Sequence, residues 1–259
     1  MNGRRQSRTR RRRGVAAVLT ARDEALLHAL SRFRLARTSD LLTYAFSGIR
    51  RDTATDRLRR LFDAKYLAVL PAKPGEENVY RLGPSGRSWL RQEGIVATRP
   101  PRGGFAHHLG IVSAWVALAG AEAIELERAL PDWEIREQFA GSHLPVIPDL
   151  LLRIRAEGTR HVLAVEVDRG TESLAILRRK LEAYRSLWGQ PPGLFGLQQF
   201  GILLACDSPR RTQLTAALKN AWAIPHALWT RSEPATAMLH KLFRDLVPPI
   251  EPTPYDKGC

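Results

Sequence analysis

The sequence predicts a mixed α/β protein with two folded domains, and three observations favour that class. The chain has 259 residues, which is enough for two hydrophobic cores of modest size. Helical periodicity of apolar residues dominates the first hundred residues, whereas short runs of branched apolar residues alternate with helical stretches in the remainder. The run Arg99-Pro100-Pro101-Arg102-Gly103-Gly104 is typical of a linker. We therefore expect a disordered basic arm, a first domain, a linker, a second domain and a tail at residues 1–19, 20–98, 99–106, 107–247 and 248–259.

Net charge is the most informative feature of the composition. The formal charge is +14, and seven arginines lie between Arg4 and Arg13, so the rest of the chain still carries 14 − 7 = +7. Each phosphate that such a surface neutralises releases condensed counterions. The charge favours a polyanionic partner, and double-stranded DNA is the partner we expect. A basic surface that is only solvated is the alternative.

Composition also excludes several classes of protein. No apolar run approaches the ~20 residues of a membrane span, and the basic leader lacks an apolar stretch long enough for secretion, so we expect a cytoplasmic protein without a membrane partner. Cys206 and Cys259 are too few for a zinc site or a disulfide framework. A catalytic metal would therefore have oxygen ligands, which points to Mg²⁺ or Mn²⁺.

The first domain shows three helix start signals, at Thr20, Thr38 and Asp52, each followed by a helical apolar stripe. Two short apolar runs at 66–70 and 79–82 then predict a β-hairpin, and a helix is expected at 85–93. Three helices followed by such a ribbon are typical of a winged helix-turn-helix, whose third helix enters the major groove. The predicted DNA contacts are Arg50, Arg51, Thr53, Arg57, Arg60 and Lys73. A protein-docking module with a basic face is the alternative.

The second domain alternates helices and strands. We expect helices at 108–130, 171–187, 208–222 and 235–246, and strands at 133–139, 147–154, 161–170, 200–205 and 227–229. This order predicts a mixed sheet with helices packed on it.

Carboxylates cluster at the ends of two of these strands. Glu166 and Asp168 alternate onto one strand face about 7 Å apart, and Asp149 opens the preceding strand. If the two strands pair as an antiparallel hairpin, Asp149 lies beside Glu166. Three converging acids repel one another unless protons or a cation neutralise them. The pattern indicates a divalent metal site at these residues, and an ordinary solvated strand end is the alternative.

The element order, with Pro148-Asp149 and Glu166-Val167-Asp168 at these places, resembles the core of the PD-(D/E)XK nuclease superfamily. The winged helix, His107-His108 and Lys180-Leu181-x-x-Tyr184 further resemble the replication-relaxation family of plasmid and mobile-element proteins. The resemblance covers residues 20–230. It implies a nuclease-like second domain. Replication or mobilisation proteins, and a second copy of the chain in a homodimer, are the protein partners that we consider besides DNA.

In that superfamily an Asp and a Glu bind Mg²⁺, and a Lys two positions after the Glu orients the attacking water. Asp149 and Glu166 match, but Asp168 stands where the Lys is expected. The resemblance leaves two roles open for Asp168, a third metal ligand or a partner of Arg169. Lys180 either substitutes for the missing lysine or extends its aliphatic stem over the surface.

Two further residues are candidates for catalysis. His108, with His107, either positions a phosphate or acts as a base, and a helix cap or core residue is the alternative for a histidine at a helix start. Tyr184 is either a covalent nucleophile or a packed core residue. The implied chemistry is metal-assisted phosphodiester hydrolysis or nicking. A DNA-binding regulator or replication accessory with an inactive nuclease fold is the alternative, and a partner-docking adaptor is a third.

Overall fold

The computed structural model describes residues 18–70, 75–98, 101, 104–141, 144–156, 158–191, 193–218 and 224–245. The chain divides after residue 100 into two compact units. None of the helices in these ranges is both long enough and apolar enough to cross a membrane.

The first unit contains four helices and three short strands within its described residues. They are α1 (Ala21–Phe33), β1 (Ala36–Arg37), α2 (Thr38–Ala45), α3 (Arg51–Asp63), β2 (Leu67–Leu70), β3 (Val79–Leu82) and α4 (Pro84–Gln92). The strands form an antiparallel sheet in the order β1-β3-β2. The predicted order of three helices, a hairpin and a fourth helix is present, and β1 is an addition to it. The core is built of leucines without exposed surface, among them Leu26, Leu30, Leu41, Leu58 and Leu61.

Helix α1 begins at a capping box. The Thr20 side chain accepts a hydrogen bond from the Asp23 backbone N–H, and the Asp23 carboxylate accepts in return from the Thr20 backbone N–H. Two of the unpaired donors at the helix start are thereby satisfied. The start signal at Thr20 is therefore realised at the position where the sequence predicts it.

The second unit is a five-stranded sheet with helices on it. Its elements are α5 (Phe105–Ala119), β4 (Glu125–Pro131), α6 (Asp132–Gln138), β5 (Leu150–Ala156), β6 (Thr159–Asp168), α7 (Leu174–Leu187), β7 (Gly201–Cys206), α8 (Pro209–Ala216), β8 (His226–Thr230) and α9 (Ala235–Asp245). The strand order is β4-β5-β6-β7-β8, with antiparallel pairs up to β6 and parallel pairs from β6 to β8. The predicted mixed α/β sheet is confirmed.

Two predictions about the start of this unit are wrong. The helix expected over 108–130 ends at Ala119, because Gly120 forms its C-cap, and residues 125–131 form strand β4 instead. The strand expected over 133–139 is helix α6, which begins after Pro131 and has Asp132 and Glu134 in its first turn. Acidic residues in a first turn interact favourably with the helix dipole, and that signal outweighed the alternation of Trp133 and Ile135.

Strand β6 lies in the middle of the sheet and is buried on both faces. On one face, Val162 and Ala164 belong to the same apolar core as Leu177 and Leu181 of α7. On the other face α5 approaches closely, since a Cβ atom on Gly110 would lie 3.0 Å from Val167 Cγ1. The carboxyl end of β6 is therefore held between helices, and its side chains have fixed directions.

Candidate functional site

Two buried carboxylates meet where β5 begins and β6 ends. Leu150 pairs with Val165 in the antiparallel register. Asp149 immediately precedes Leu150 and Glu166 immediately follows Val165, so the two acids lie opposite each other. Their exposed fractions are 7% and 2%. The Asp149 Oδ2 atom accepts a hydrogen bond of 2.7 Å from the Val167 backbone N–H, which ties the start of β5 to the end of β6. The structure thus brings together two of the three acids that the sequence singles out.

Helix α7 supplies two partners to Glu166. Lys180 Nζ lies 2.9 Å from Glu166 Oε2, and the Tyr184 hydroxyl donates a hydrogen bond to Oε1. The two side chains are four residues apart on α7, so they lie one above the other on the same helix face. Lys180 therefore points its ammonium group at the acidic pair, as the first of the two roles left open by the sequence requires.

Burial and like charge set the protonation of this cluster. Burial, and after it the charge of Asp149, raises the pKa of Glu166 to about 7, although Lys180 and Tyr184 both act to lower it. For Lys180, burial acts to lower the pKa, but the charges of Glu166 and Asp149 outweigh it and hold the pKa above its usual value. Lys180 is therefore a cation at neutral pH, beside a carboxyl group that is close to its titration point.

The two adjacent histidines have different roles. His107 Nε2 lies 3.1 Å from Asp149 Oδ1, and this hydrogen bond raises the pKa of the imidazole although burial opposes it. His108 is instead buried and stacked on Trp133, with ring centroids 4.2 Å apart. His107 thus contacts the carboxylate pair, whereas His108, which the sequence analysis named as a catalytic candidate, packs in the core. Two adjacent helical residues point in different directions, and their order in the sequence does not reveal which one faces the site.

Asp168 shares a strand face with Glu166, as the alternation predicts, but it has other partners. Its Oδ2 atom lies 2.5 Å from Arg211 Nε, and its Oδ1 atom accepts from the Gly170 backbone N–H at 2.8 Å. Arg169, considered as its partner, pairs with Asp207 instead. Arg211 lies near the start of α8, 43 residues away along the chain, so no local pattern predicts this contact.

The fit of a divalent cation can be judged from the oxygen atoms. Within the described ranges no group of three or more His, Cys, Asp or Glu side chains is placed to hold a metal ion. Mg²⁺, however, is commonly bound by one or two carboxylates together with substrate phosphate and water. Asp149 and Glu166 fit that donor set, and a cation would offset both the burial and, after it, the repulsion by Asp149 that raise the pKa of Glu166. Asp168, in its ion pair with Arg211, does not belong to this set.

Tyr184 is placed as a structural residue. It has no exposed surface, and burial, together with the charge of Glu166, raises the pKa of its hydroxyl well above the usual value. A nucleophile must reach the substrate and lose its proton readily. Neither condition is met, so the geometry favours the packed role for Tyr184.

The predicted DNA-contacting residues lie on and before α3. Arg50, Arg51, Thr53 and Arg60 are exposed, and Arg59, which the sequence analysis did not name, is exposed with them. Arg57 is different, because its guanidinium group donates to both carboxylate oxygens of Asp23 and to the Val18 carbonyl oxygen. Its contribution is therefore to the packing of α3 on α1. Lys73 lies outside the described residues.

Comparisons with known proteins give a family and a weak structural likeness. No curated protein matches the chain at a significant level. The structure is similar to that of the restriction endonuclease FokI with a TM-score of 0.36 and 11% identity, over 89% of this chain and 48% of FokI, which is too weak to carry an argument. The family model described as replication-relaxation matches residues 27–196, that is 170 of 259 residues. The chain belongs to the replication-relaxation family.

Proposed function

We propose that this protein binds double-stranded DNA in plasmid replication or mobilisation and nicks it with the help of Mg²⁺ or Mn²⁺. One observation carries the proposal: two adjacent buried carboxylates, Asp149 and Glu166, with the Lys180 ammonium group 2.9 Å from one of them. Carboxylates can hold a cation, and a positive group beside the phosphodiester can stabilise the charge that develops during metal-assisted hydrolysis. Lys180 would take the role of the lysine that is absent at position 168.

Each residue of the site has a defined task in this proposal. Asp149 and Glu166 would hold the cation, which supplies Lewis-acid chemistry by polarising a phosphoryl oxygen and by making water a better nucleophile. Lys180, whose side chain is 27% exposed, would stabilise the negative charge that develops on the phosphoryl oxygens. His107 orients Asp149 through their hydrogen bond.

The first unit would bring the site to its DNA. We propose that it acts as a winged helix-turn-helix with α3 in the major groove. The support is the exposed basic group of α3, namely Arg50, Arg51, Arg59 and Arg60, together with the net charge of +14. Asp52 and Asp56 are exposed on the same helix, which limits binding by simple charge attraction. A cytoplasmic setting follows from such a role.

Nicking can be measured directly. Supercoiled plasmid carrying the replication origin, incubated with the protein and Mg²⁺, should be converted to open circles. Asp149→Ala, Glu166→Ala and Lys180→Ala should each slow the conversion by about 100-fold. Glu182→Ala is the matched control, because Glu182 is exposed on the same helix and has no part in the cluster. Nicking that the three substitutions leave unchanged would contradict the proposal.

A second function is favoured by a specific observation. All four carboxylate oxygens of Asp149 and Glu166 already have hydrogen-bond partners, from His107, the Val167 backbone, Tyr184 and Lys180. A site satisfied in this way suits a non-catalytic DNA-binding regulator or replication accessory. In that case no divalent cation should support nicking, and site-specific binding should survive Glu166→Ala.

A further inference from the structure

A pocket of about 410 Å³ opens beside Lys180. One wall is helix α7, where Ile176, Arg179, Lys180 and Ala183 share a face at spacings of three and four residues. The opposite wall is residues 144–147, which lead directly into Asp149, and Arg136 of α6 completes the lining. The pocket and the carboxylate pair therefore share Lys180 and are joined by continuous backbone.

The lining combines positive charge with aliphatic surface. Three of its side chains are cationic, those of Arg136, Arg179 and Lys180, and none of its residues is acidic. Arg179 is exposed and has no ion pair with any residue in the described ranges, whereas Arg136 is partly occupied by Asp132 at 3.2 Å. Ile176, which borders the pocket, is 40% exposed and offers an apolar surface to a ligand. A ligand that complements this lining has an anionic part and a flat or apolar part.

We propose that the pocket takes one unpaired nucleotide of the DNA strand, next to the phosphodiester that is cleaved. The base would lie against the aliphatic wall of Ile147 and Ile176, and its phosphate would pair with Arg179. Proteins that take a base out of the stack hold it between aromatic or apolar side chains, and a basic group binds the backbone of the strand. This inference rests on the proposed function, since it names the form of DNA that the site acts on.

The size of the pocket excludes duplex DNA as its ligand. A volume of about 410 Å³ lies in the range of ~300–1,000 Å³ that is typical of sites for small ligands, so it admits a nucleotide and not a double helix. The bases of a duplex are stacked inside and cannot reach Ile176. The nicked DNA must therefore be opened locally, and the protein should prefer a strand with an unpaired stretch.

The test is the binding of fluorescently labelled oligonucleotides to the full chain, followed by anisotropy. A mixed-sequence single strand and the duplex of the same sequence are compared at about 0.2 M NaCl, where loose contacts from basic residues are weakened. EDTA is present, so cleavage does not disturb the equilibrium. Arg179→Glu and Ile176→Asp are the pocket variants. Arg178→Glu is the control, because Arg178 is an exposed neighbour on α7 that does not line the pocket.

Both pocket variants should weaken single-strand binding about tenfold or more, since a charge-assisted phosphate contact or an apolar contact with a base is lost. Their duplex affinity, and both affinities of Arg178→Glu, should stay within about threefold of the parent. Arg179→Ala should also lower the slope of log affinity against log salt for the single strand by about 0.7, which corresponds to one phosphate. Ile176 and Arg179 are exposed, so the fold should tolerate these changes, and unfolding midpoints close to that of the parent check this.

The inference would be overturned if both pocket variants kept the single-strand affinity of the parent, or if they lost affinity for single strand and duplex equally. It would also be overturned if polyglutamate displaced the labelled single strand from the parent protein as effectively as the unlabelled strand does. The last outcome would indicate an acidic peptide as the occupant. Because binding is measured without metal, the result is independent of nicking. Loss of single-strand binding in a protein that nicks no plasmid would uphold the pocket and reject the hydrolytic function, whereas nicking with unaffected pocket variants would reject the pocket alone.

Discussion

At the scale of single residues, Arg57 and Arg60 show that one helix carries two kinds of arginine. The sequence places both on the polar face of α3, but the Asp23 carboxylate is fully buried and Arg57 is its main partner. Removal of Arg57 leaves a buried carboxylate without its cation. Arg57→Ala should therefore lower the free energy of unfolding by about 2 kcal/mol, whereas the exposed Arg60→Ala should change it by less than ~0.5 kcal/mol. Urea unfolding followed by circular dichroism measures both values.

The same pair gives a dependence on pH. Burial acts to raise the pKa of Asp23, but hydrogen bonds from Arg57 and Thr20 outweigh it, so the folded pKa is lowered. The stability that the ionised carboxylate contributes is present above the unfolded pKa of about 4 and is lost as the pH falls through the lower folded value. The difference in unfolding free energy between the parent and Arg57→Ala should therefore shrink as the pH falls below about 4. A constant difference down to pH 2 would show that Arg57 acts through packing alone.

The two substitutions should have the opposite order of effects on DNA affinity, where Arg60→Ala has the larger effect. Under conditions in which both variants are folded, Arg60→Ala should weaken duplex binding, because its side chain is exposed and is not held by any other described residue. Arg57→Ala should bind as the parent does. If Arg57→Ala proves the weaker binder of the two, the recognition face of α3 has been placed wrongly.

At the scale of elements, the structure shows which sequence patterns were sufficient to predict a helix or a strand. Strongly periodic stretches such as α1 and α3, and the continuous apolar runs of β6 and β7, form where they were predicted, because local pattern and burial agree there. The segment of β4 reads Glu125-Leu126-Glu127-Arg128-Ala129-Leu130, which has helical propensity, yet it forms an edge strand. Its pairing with β5, and the contacts of Glu127 with Arg155 and Arg160, overrode that propensity.

In the candidate site, too, local patterns predicted some contacts, and tertiary packing decided the others. The proximity of Asp149 and Glu166 followed from strand order and alternation, which are local patterns. The pairing of Asp168 with Arg211, and the choice of His107 over His108, depend on how helices pack on the sheet. No spacing in a single sequence specifies that packing.

Helix α4 packs closely on the backbone at Tyr66, and this contact requires a glycine at position 86. A Cβ atom on Gly86 would lie 2.4 Å from the Tyr66 carbonyl oxygen, and Tyr66 O already accepts from Gly83 N–H at 2.7 Å. Alanine has a helix propensity about 1 kcal/mol better than glycine, but the clash is with backbone and is not relieved by a rotamer change. Gly86→Ala should therefore destabilise the first unit by about 1–2 kcal/mol net. Thermal unfolding detects the loss, and Gln92→Ala, an exposed change in the same helix, is the control; an unchanged or raised midpoint for Gly86→Ala would contradict the close approach.

At the scale of the whole molecule, the two compact units carry different candidate functional groups. The exposed arginines of α3 belong to the unit that ends at residue 100, and the carboxylates, Lys180 and the pocket belong to the unit that follows. If the proposed function is correct, substitutions in one unit can remove nicking and leave DNA binding intact, or the reverse. Glu166→Ala and Arg60→Ala should therefore affect different assays, which allows the hydrolytic and the non-catalytic functions to be told apart.

The basic arm is the largest single contribution to the net charge, and its removal tests how much of the DNA affinity is electrostatic. Deletion of residues 2–14 removes seven arginines and halves the formal charge from +14 to +7. Because each phosphate contact contributes about 0.9 to the slope of log affinity against log salt for duplex DNA, the slope should fall by at most about 6. Any preference of the intact protein for one DNA sequence over another should remain after the deletion, since phosphate contacts carry no sequence information. Replacing the seven arginines by lysines is the matched control, because it keeps the charge and should keep the slope. A deletion that leaves the slope unchanged would place the phosphate contacts in the two folded units, and a deletion that abolishes sequence preference would make the arm a reader of DNA sequence or groove shape in its own right.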